Sequence, residues 1–141
     1  MIRQETAWVF FAAGLYFVAA LVIGVWKWQQ SITSPDGRAH RYVDVAHQAG
    51  LMYSFAIAAI IAPLVELSGW PSAVNIVAAA AVIGMFTVTI TNYVRLGIQA
   101  RTDNQMRDLK PILRGVREAL IITEIGGTSV LLAGFASAQL L

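Results

Sequence analysis

The two histidines of this chain are its first candidates for metal binding and acid–base chemistry. Among its 141 residues there is no cysteine, and His40 and His47 are the only imidazoles. The lack of cysteine excludes disulfides, thiolate metal sites and a cysteine nucleophile. Seven residues apart on one helix, the two rings would stand about 10 Å apart along its axis, too far to hold one metal ion together or to sandwich one haem. One-sided coordination remains, because a single imidazole can hold a five-coordinate haem with an open sixth position.

Other polar side chains lie near or within apolar segments, and each has more than one interpretation. Asp44 precedes His47 by three residues on the same helical face, where it could orient the second ring nitrogen. His47 could equally be an interfacial residue that hydrogen-bonds headgroups or a neighbouring carbonyl. Glu124 lies deep in the last apolar segment and needs a partner or a proton, so an interhelical hydrogen bond and a catalytic role both fit. Arg95 is expected to snorkel to lipid phosphates.

These residues belong to a chain with four long apolar segments. Hydrophobic residues make up 57% of the sequence and charged residues 13%, about half the charged share of a soluble domain. Each segment has the ~20 residues that a helix needs to cross ~30 Å of hydrocarbon. Helices are expected because lipid cannot pair the open edge of a strand. We therefore predict an all-α, integral membrane four-helix bundle, a single transmembrane domain over residues 1–141 with helices at about 7–28, 44–66, 72–98 and 114–140.

The connections between the segments predict the orientation. Residues 27–45 form a polar loop with a Ser-Pro-Asp-Gly turn, residues 66–71 a tight hairpin, and residues 95–115 a charged loop whose start continues the third helix. Of the ten basic residues, only Arg3 lies outside the two long loops and their borders. By the positive-inside rule, these loops are cytoplasmic, and both termini and the hairpin lie on the non-cytoplasmic side of the cytoplasmic (inner) membrane. The other nine basic residues are Lys27, Arg38, Arg41, Arg95, Arg101, Arg107, Lys110, Arg114 and Arg117.

Under this topology, polar groups from three helices share the cytoplasmic half of the bundle. His47 starts the second helix, Asn92 is near the end of the third, and Glu118 is near the start of the fourth, with Tyr53 about two turns below the histidine. Ionisable groups within membrane helices usually face the protein interior. The sequence therefore predicts a small site that opens toward the cytoplasm.

One stretch on each helix follows a known pattern. The first helix contains GLYFVAALVIGVW, the second opens with AHQAGLM, the third ends TITNYV and the fourth begins REALI. In this order they resemble the Gly-Leu-x-Phe, Ala-His, Asn-aromatic and Gln-Glu-Ala-Leu patterns of the small four-helix membrane isomerases, which include styrene oxide isomerase and hydroxylaminobenzene mutase. Two positions depart from that family: Tyr53-Ser54 stands where it has Asn-Gly, and its helix-three tyrosine falls near Leu96.

The resemblance implies a membrane-bound isomerase in which the ferric iron of haem b is a Lewis acid that rearranges a small epoxide to a carbonyl compound. It implies His47 as the axial ligand of the metal, with Asp44 beside it in the cofactor site. Tyr53 and Asn92 would be catalytic residues that position the epoxide oxygen, and either Tyr53 or Tyr93 could substitute for the family's helix-three tyrosine. The family also implies a homotrimer with haem near subunit contacts. The expected partners are a small apolar substrate and the lipid bilayer, and no nucleic acid is expected.

Two other functions fit the same sequence. The bundle could be a non-catalytic membrane subunit of a larger complex, with Ala- and Gly-rich faces packed on partner proteins. It could instead be a small carrier that uses His47 and Glu124 as a proton relay. Four short helices with few polar positions enclose no obvious path without oligomerising, which weighs against the carrier. The absorption spectrum of the purified protein distinguishes these alternatives.

Overall fold

In a computed structural model that describes residues 1–107 and 111–141, the chain is helical, with no strand in that part. The all-α class and the count of four helices are confirmed. Lys110, one of the basic residues used to predict orientation, lies outside the described residues. The helices are α1 (Gln4–Thr33), α2 (Arg41–Leu67), α3 (Ser72–Gln99) and α4, which joins the segments Pro111–Leu120, Ile121–Gly126 and Gly127–Gln139.

All four helices are long and apolar enough to cross a membrane, with 26 to 30 residues in each span. Only 17–33% of the residues in their most apolar windows are buried. Large side chains therefore face outward, including Trp8 and Trp28 of α1, each of which is 64% exposed. Such a surface is costly in water and is the one that a bilayer requires.

The first connection is shorter than the sequence predicted. Residues 27–33 and 41–45, expected in a polar loop, are helical, and only residues 34–40 join α1 to α2. Polar side chains at these helix ends find partners across the two helices, as Lys27 Nζ does at 2.5 Å from Asp44 Oδ1. Hydropathy locates the apolar part of a helix but not its polar ends, which explains the error.

The predicted Ser-Pro-Asp-Gly turn is present in this connection. The backbone N–H of Gly37 donates to the Ser34 carbonyl at 3.1 Å, and Gly37 has a φ of 69°, a value that glycine adopts without strain. The Asp36 carboxylate accepts hydrogen bonds from the Ser34 hydroxyl and the Arg38 backbone N–H. These bonds favour the ionised carboxylate and hold the pKa of Asp36 below its ordinary value.

Both chain termini lie at the same end of the bundle as the short connection from α2 to α3. The Arg3 backbone N–H donates to Glu66 Oε2 at 3.0 Å, and Gln139 Nε2 donates to the Leu67 carbonyl at 3.2 Å. We call this the hairpin end. The opposite end, where α1 and α3 finish and α2 and α4 begin, is the loop end.

The helices α2 and α3 form the centre of the bundle. Helix α1 packs along α2, whereas α4 packs on α3 and on the second half of α2. Buried side chains form one large apolar core toward the hairpin end, which includes Ile57, Val65, Val82, Phe86 and Leu131. A smaller core of Ile23, Val43 and Ala46 lies toward the loop end.

Two of the helices contain a wider, π-helical turn. In α2 it spans Ile57–Ile61, just before Pro63. Proline has no N–H, and its ring clashes with the carbonyl four residues earlier, here that of Ala59, so a local widening of the helix accommodates it. In α4 the wider turn spans Ile121–Gly126 and contains Glu124.

Candidate functional site

His47 lies on α2 and packs against α1. Its Nδ1 atom is 2.9 Å from the Ala20 carbonyl oxygen. A carbonyl oxygen only accepts hydrogen bonds, so Nδ1 must carry the proton and donate. In a neutral imidazole this tautomer leaves the lone pair on Nε2. The side chain is partly buried, and the bond to α1 sets the orientation of its ring.

Small residues on both helices allow this close approach. A Cβ atom on Gly24 would lie 2.8 Å from His47 Cε1, and one on Gly50 would lie 2.9 Å from the Cβ of Ala20. Both distances are shorter than real contacts allow, so larger side chains would push α1 and α2 apart or displace the ring. Such small-residue crossings are common in membrane bundles.

Asp44 contacts other side chains than the His47 ring that the sequence predicted as its partner. Its carboxylate pairs with Lys27 of α1 and accepts a hydrogen bond from Gln48 Nε2 at 3.4 Å. Within residues 1–107 and 111–141, the hydrogen-bond partner of the His47 ring is the Ala20 carbonyl. The orienting role expected of Asp44 therefore falls to the backbone of α1. A backbone carbonyl is a common partner for the second nitrogen of a metal-ligating histidine.

Asn92 lies near the loop end of α3, where it holds the chain segment that follows that helix. Its Nδ2 donates to Gln105 Oε1 at 2.9 Å, and its Oδ1 accepts from Arg95 Nη2 at 2.9 Å. The Gln105 backbone N–H donates to the Tyr42 hydroxyl at 2.6 Å, which joins the same segment to α2. Arg95, expected to reach lipid phosphates, is thus a hydrogen-bond donor within the protein.

Tyr53 faces the centre of the bundle. Its ring stacks on Phe86 of α3 with centroids 3.9 Å apart and an interplanar angle of 2°. Six residues separate Tyr53 from His47, which places the two side chains about 120° apart around α2. The three principal residues of the predicted site thus have different neighbours: α1 for His47, α3 for Tyr53 and the segment after α3 for Asn92.

A second polar group lies near the middle of the helices, and the sequence did not identify it as a site. The Tyr16 hydroxyl donates to the Ile83 carbonyl at 2.8 Å and lies 2.5 Å from Thr87 Oγ1, joining α1 to α3. In the sequence, the four-residue spacing between Ile83 and Thr87 places both residues on one face of α3. This spacing is the feature from which the polar group could have been predicted.

Glu124 is near this level on α4. One of its carboxyl oxygens, Oε1, is buried and has no hydrogen-bond partner among the described residues. Tyr53 of α2 and Tyr93 of α3 lie within electrostatic range of this carboxyl. The sequence placed Glu124 deep in the bundle, but it did not indicate these neighbours.

Two grooves of similar size lie beside α3. One, of about 660 Å³, lies between α1 and α3 and is lined by residues that include Glu5, Trp8, Asn75 and Thr87. The other, of about 650 Å³, lies between α3 and α4 and is almost entirely apolar. His47 lines neither groove.

The side chains that could serve as metal ligands limit which metal sites the chain could form. Across the described residues, no three His, Asp or Glu side chains cluster in a way that could hold a metal ion. Any metal at His47 would need most of its ligands from another molecule.

The chain matches no protein-family model, no curated protein and no solved structure. The functional argument therefore depends on the geometry around His47 and on the residues themselves.

Proposed function

We propose that the protein is a membrane-bound, haem-dependent isomerase in which His47 would hold the haem iron. The supporting observation is the bond from His47 Nδ1 to the Ala20 carbonyl, which fixes the ring and leaves the Nε2 lone pair for a metal. The four porphyrin nitrogens of a haem supply the other ligands, so a single protein ligand suffices. The donor set fits this cofactor without a cluster of three protein ligands.

The proposed location is the cytoplasmic membrane, with the loop end in the cytoplasm and both termini on the other side. Four apolar helices with outward-facing side chains support insertion. Apart from Arg3, the basic residues of the described ranges lie at the loop end, which supports the orientation.

The surroundings of His47 support an oligomer. Phe17 of α1 and Phe55 of α2 contact each other edge to face, with centroids 6.2 Å apart, and both are exposed. Phe55 lies about two turns beyond His47 and about 80° around α2 from it. A cofactor at His47 would therefore adjoin an apolar edge of the single chain, and a second copy could enclose it. This is the basis on which we propose a homo-oligomer; the family resemblance is the basis for proposing a trimer.

When bound, a ferric haem would supply a Lewis acid that polarises the oxygen of a small epoxide. His47 would hold the cofactor through Nε2. The apolar side chains around it would exclude water, which would otherwise trap a cationic intermediate. Asn92 is proposed to orient the substrate oxygen on the basis of the family resemblance. Tyr53 is proposed for the same role as a substitute for polar residues of the family that this sequence lacks.

The absorption spectrum of the protein purified in detergent tests the cofactor. We expect a Soret band that is lost in His47→Ala and retained in His40→Ala. His40 is the matched control because its Nδ1 accepts a hydrogen bond from Tyr42 N–H at the start of α2, away from Ala20. A colourless, fully helical wild-type protein, prepared from cells supplied with haem, would contradict the proposal and favour a non-catalytic subunit or a carrier.

The reaction is tested separately with styrene oxide, whose rearrangement gives phenylacetaldehyde. We expect product from the wild type, none from His47→Ala, and a lower kcat from Tyr53→Phe and Asn92→Ala. A haem-loaded protein that converts neither styrene oxide nor other small epoxides would leave the cofactor assignment in place and remove the epoxide reaction.

A further inference from the structure

Glu124 lies near the middle of α4. By helix geometry it is ~20 Å from Pro111 at the loop end and ~22 Å from Gln139 at the hairpin end. It belongs to the wider turn Ile121–Gly126, a type of distortion that is frequent at functional sites. If the helix spans a bilayer, this carboxyl is near the centre of the hydrocarbon.

The titratable side chains of other helices within electrostatic range of Glu124 do not offset a negative charge. The titratable groups are the phenols of Tyr53 on α2 and Tyr93 on α3, which are neutral at ordinary pH. On its own helix, the nearest cation toward the loop end is Arg117, about two turns away, where it pairs with Glu118 at 2.5 Å. Neither ion pair within the described residues includes Glu124.

An ionised carboxylate in this position would be strongly unfavourable. The side chain is partly buried, and its Oε1 atom is fully buried without a hydrogen-bond partner among the residues that the structure describes. Burying an uncompensated charge is unfavourable even after the protein relaxes, whereas a neutral carboxylic acid avoids most of that cost. A proton can bind to this carboxyl without a cavity beside it.

We propose that Glu124 is a proton-binding site of the membrane interior, which remains neutral at neutral pH and is open to hydrophobic carbodiimides. The inference is separate from the haem reaction, because Glu124 and His47 lie on different helices and His47 faces α1. It depends on membrane insertion but not on the cofactor.

The reaction with a carbodiimide requires the protonated form of the Glu124 carboxyl. The carboxyl proton transfers to a nitrogen of the carbodiimide while a carboxyl oxygen bonds to the central carbon, which gives an O-acylisourea. The acyl group then migrates from oxygen to nitrogen and leaves a stable N-acylurea. All atoms of both reactants remain in the product. An ionised carboxylate brings no proton, and it reacts poorly with this reagent.

The test uses the full chain in membrane vesicles treated with dicyclohexylcarbodiimide at neutral pH, followed by peptide mass spectrometry. We expect an adduct on the peptide that contains Glu124, loss of that adduct in Glu124→Gln, and its retention in Glu118→Gln. Glu118 is a matched control because it lies on the same helix and is exposed and ion-paired. An unmodified Glu124 in the wild type would overturn the proposal.

An infrared spectrum of the wild-type protein in the same vesicles gives a measurement that does not depend on the folding of a variant. We expect the C=O stretch of a protonated carboxyl at neutral pH. If Glu124→Gln does not fold, Glu124→Asp should keep this band at a shifted frequency. A spectrum with only ionised carboxylate bands at neutral pH would contradict the inference.

Discussion

At the scale of single residues, the orientation of His47 depends on an atom of another helix. Its Nδ1 donates to the carbonyl of Ala20, which is 27 positions earlier in the chain. The ring reaches that carbonyl because Gly24, one turn further along α1, has no side chain to block it. The orientation of the His47 ring thus depends on a glycine that has no functional group of its own.

Substitution of Gly24 tests this dependence. We expect Gly24→Ala to lower the free energy of unfolding by about 1–3 kcal/mol, because its Cβ would lie 2.8 Å from His47 Cε1 and the ring must move. Gly14→Ala, on the same helix with no atom within 4 Å of the added Cβ, should be neutral or slightly stabilising. Unfolding of both variants in detergent measures the difference. Equal stability of the two would show that the ring is not held in this way.

Part of this site is predictable from sequence. His47 lies near the start of one apolar segment and Glu124 lies within another. The distance of each residue from the charged ends of its segment indicates its depth along the helix. The partner of His47 is not predictable in this way, because it depends on how far α1 is rotated about its axis relative to α2. The same limitation applies to Asp44: its spacing from His47 is correct for a contact, but Lys27 of α1 takes its carboxylate.

At the scale of elements, the connection from α2 to α3 is held by α4. The Gly69 backbone N–H donates to the Gly134 carbonyl at 2.9 Å, and Trp70 Nε1 donates to the Val130 carbonyl at 2.9 Å. Ser68 and Trp70 also pack directly over Gly134, whose added Cβ would overlap both side chains. The sequence predicted a tight hairpin here, but its docking on α4 depends on tertiary contacts across 60 residues or more.

We expect Gly134→Ala to detach this connection from α4. The substitution should lower the free energy of unfolding by about 1–3 kcal/mol through overpacking, and should increase cleavage by proteases at residues 68–71. Gly126→Ala is the control, because a Cβ there meets no atom within 4 Å. Limited proteolysis in detergent compares the two. A Gly134→Ala protein as resistant as the control would argue against this docking.

At the scale of the whole molecule, the two ends of the bundle differ in charge. Of the basic residues in residues 1–107 and 111–141, only Arg3 lies at the hairpin end, where it contacts Glu66. The four apolar segments were sufficient to predict that both termini share an end, because an even number of spans returns the chain to the end where it began. Which end faces the cytoplasm remains a prediction from the positive-inside rule.

The absence of cysteine makes this orientation simple to measure. We expect Ile2→Cys to react with a membrane-impermeant maleimide added to intact cells with a permeabilised outer envelope, because Ile2 is exposed at the hairpin end. Asp103→Cys, in the exposed segment after α3, should react only after the inner membrane is disrupted. The opposite pattern would reverse the proposed orientation, and labelling of both sites in intact cells would exclude a fixed one.

The two exposed tryptophans of α1 have a consequence for where such a bundle can reside. Trp8 and Trp28 are 20 residues apart, so ~30 Å of helix axis separates them, close to the thickness of a typical hydrocarbon core. Indole rings favour the headgroup boundary on each side. If α1 spans a bilayer, the separation of these two indoles therefore sets the bilayer thickness that the helix fits best. In a membrane several ångströms thicker, one indole would be drawn below its boundary, and this mismatch would favour retention of the protein in thinner membranes.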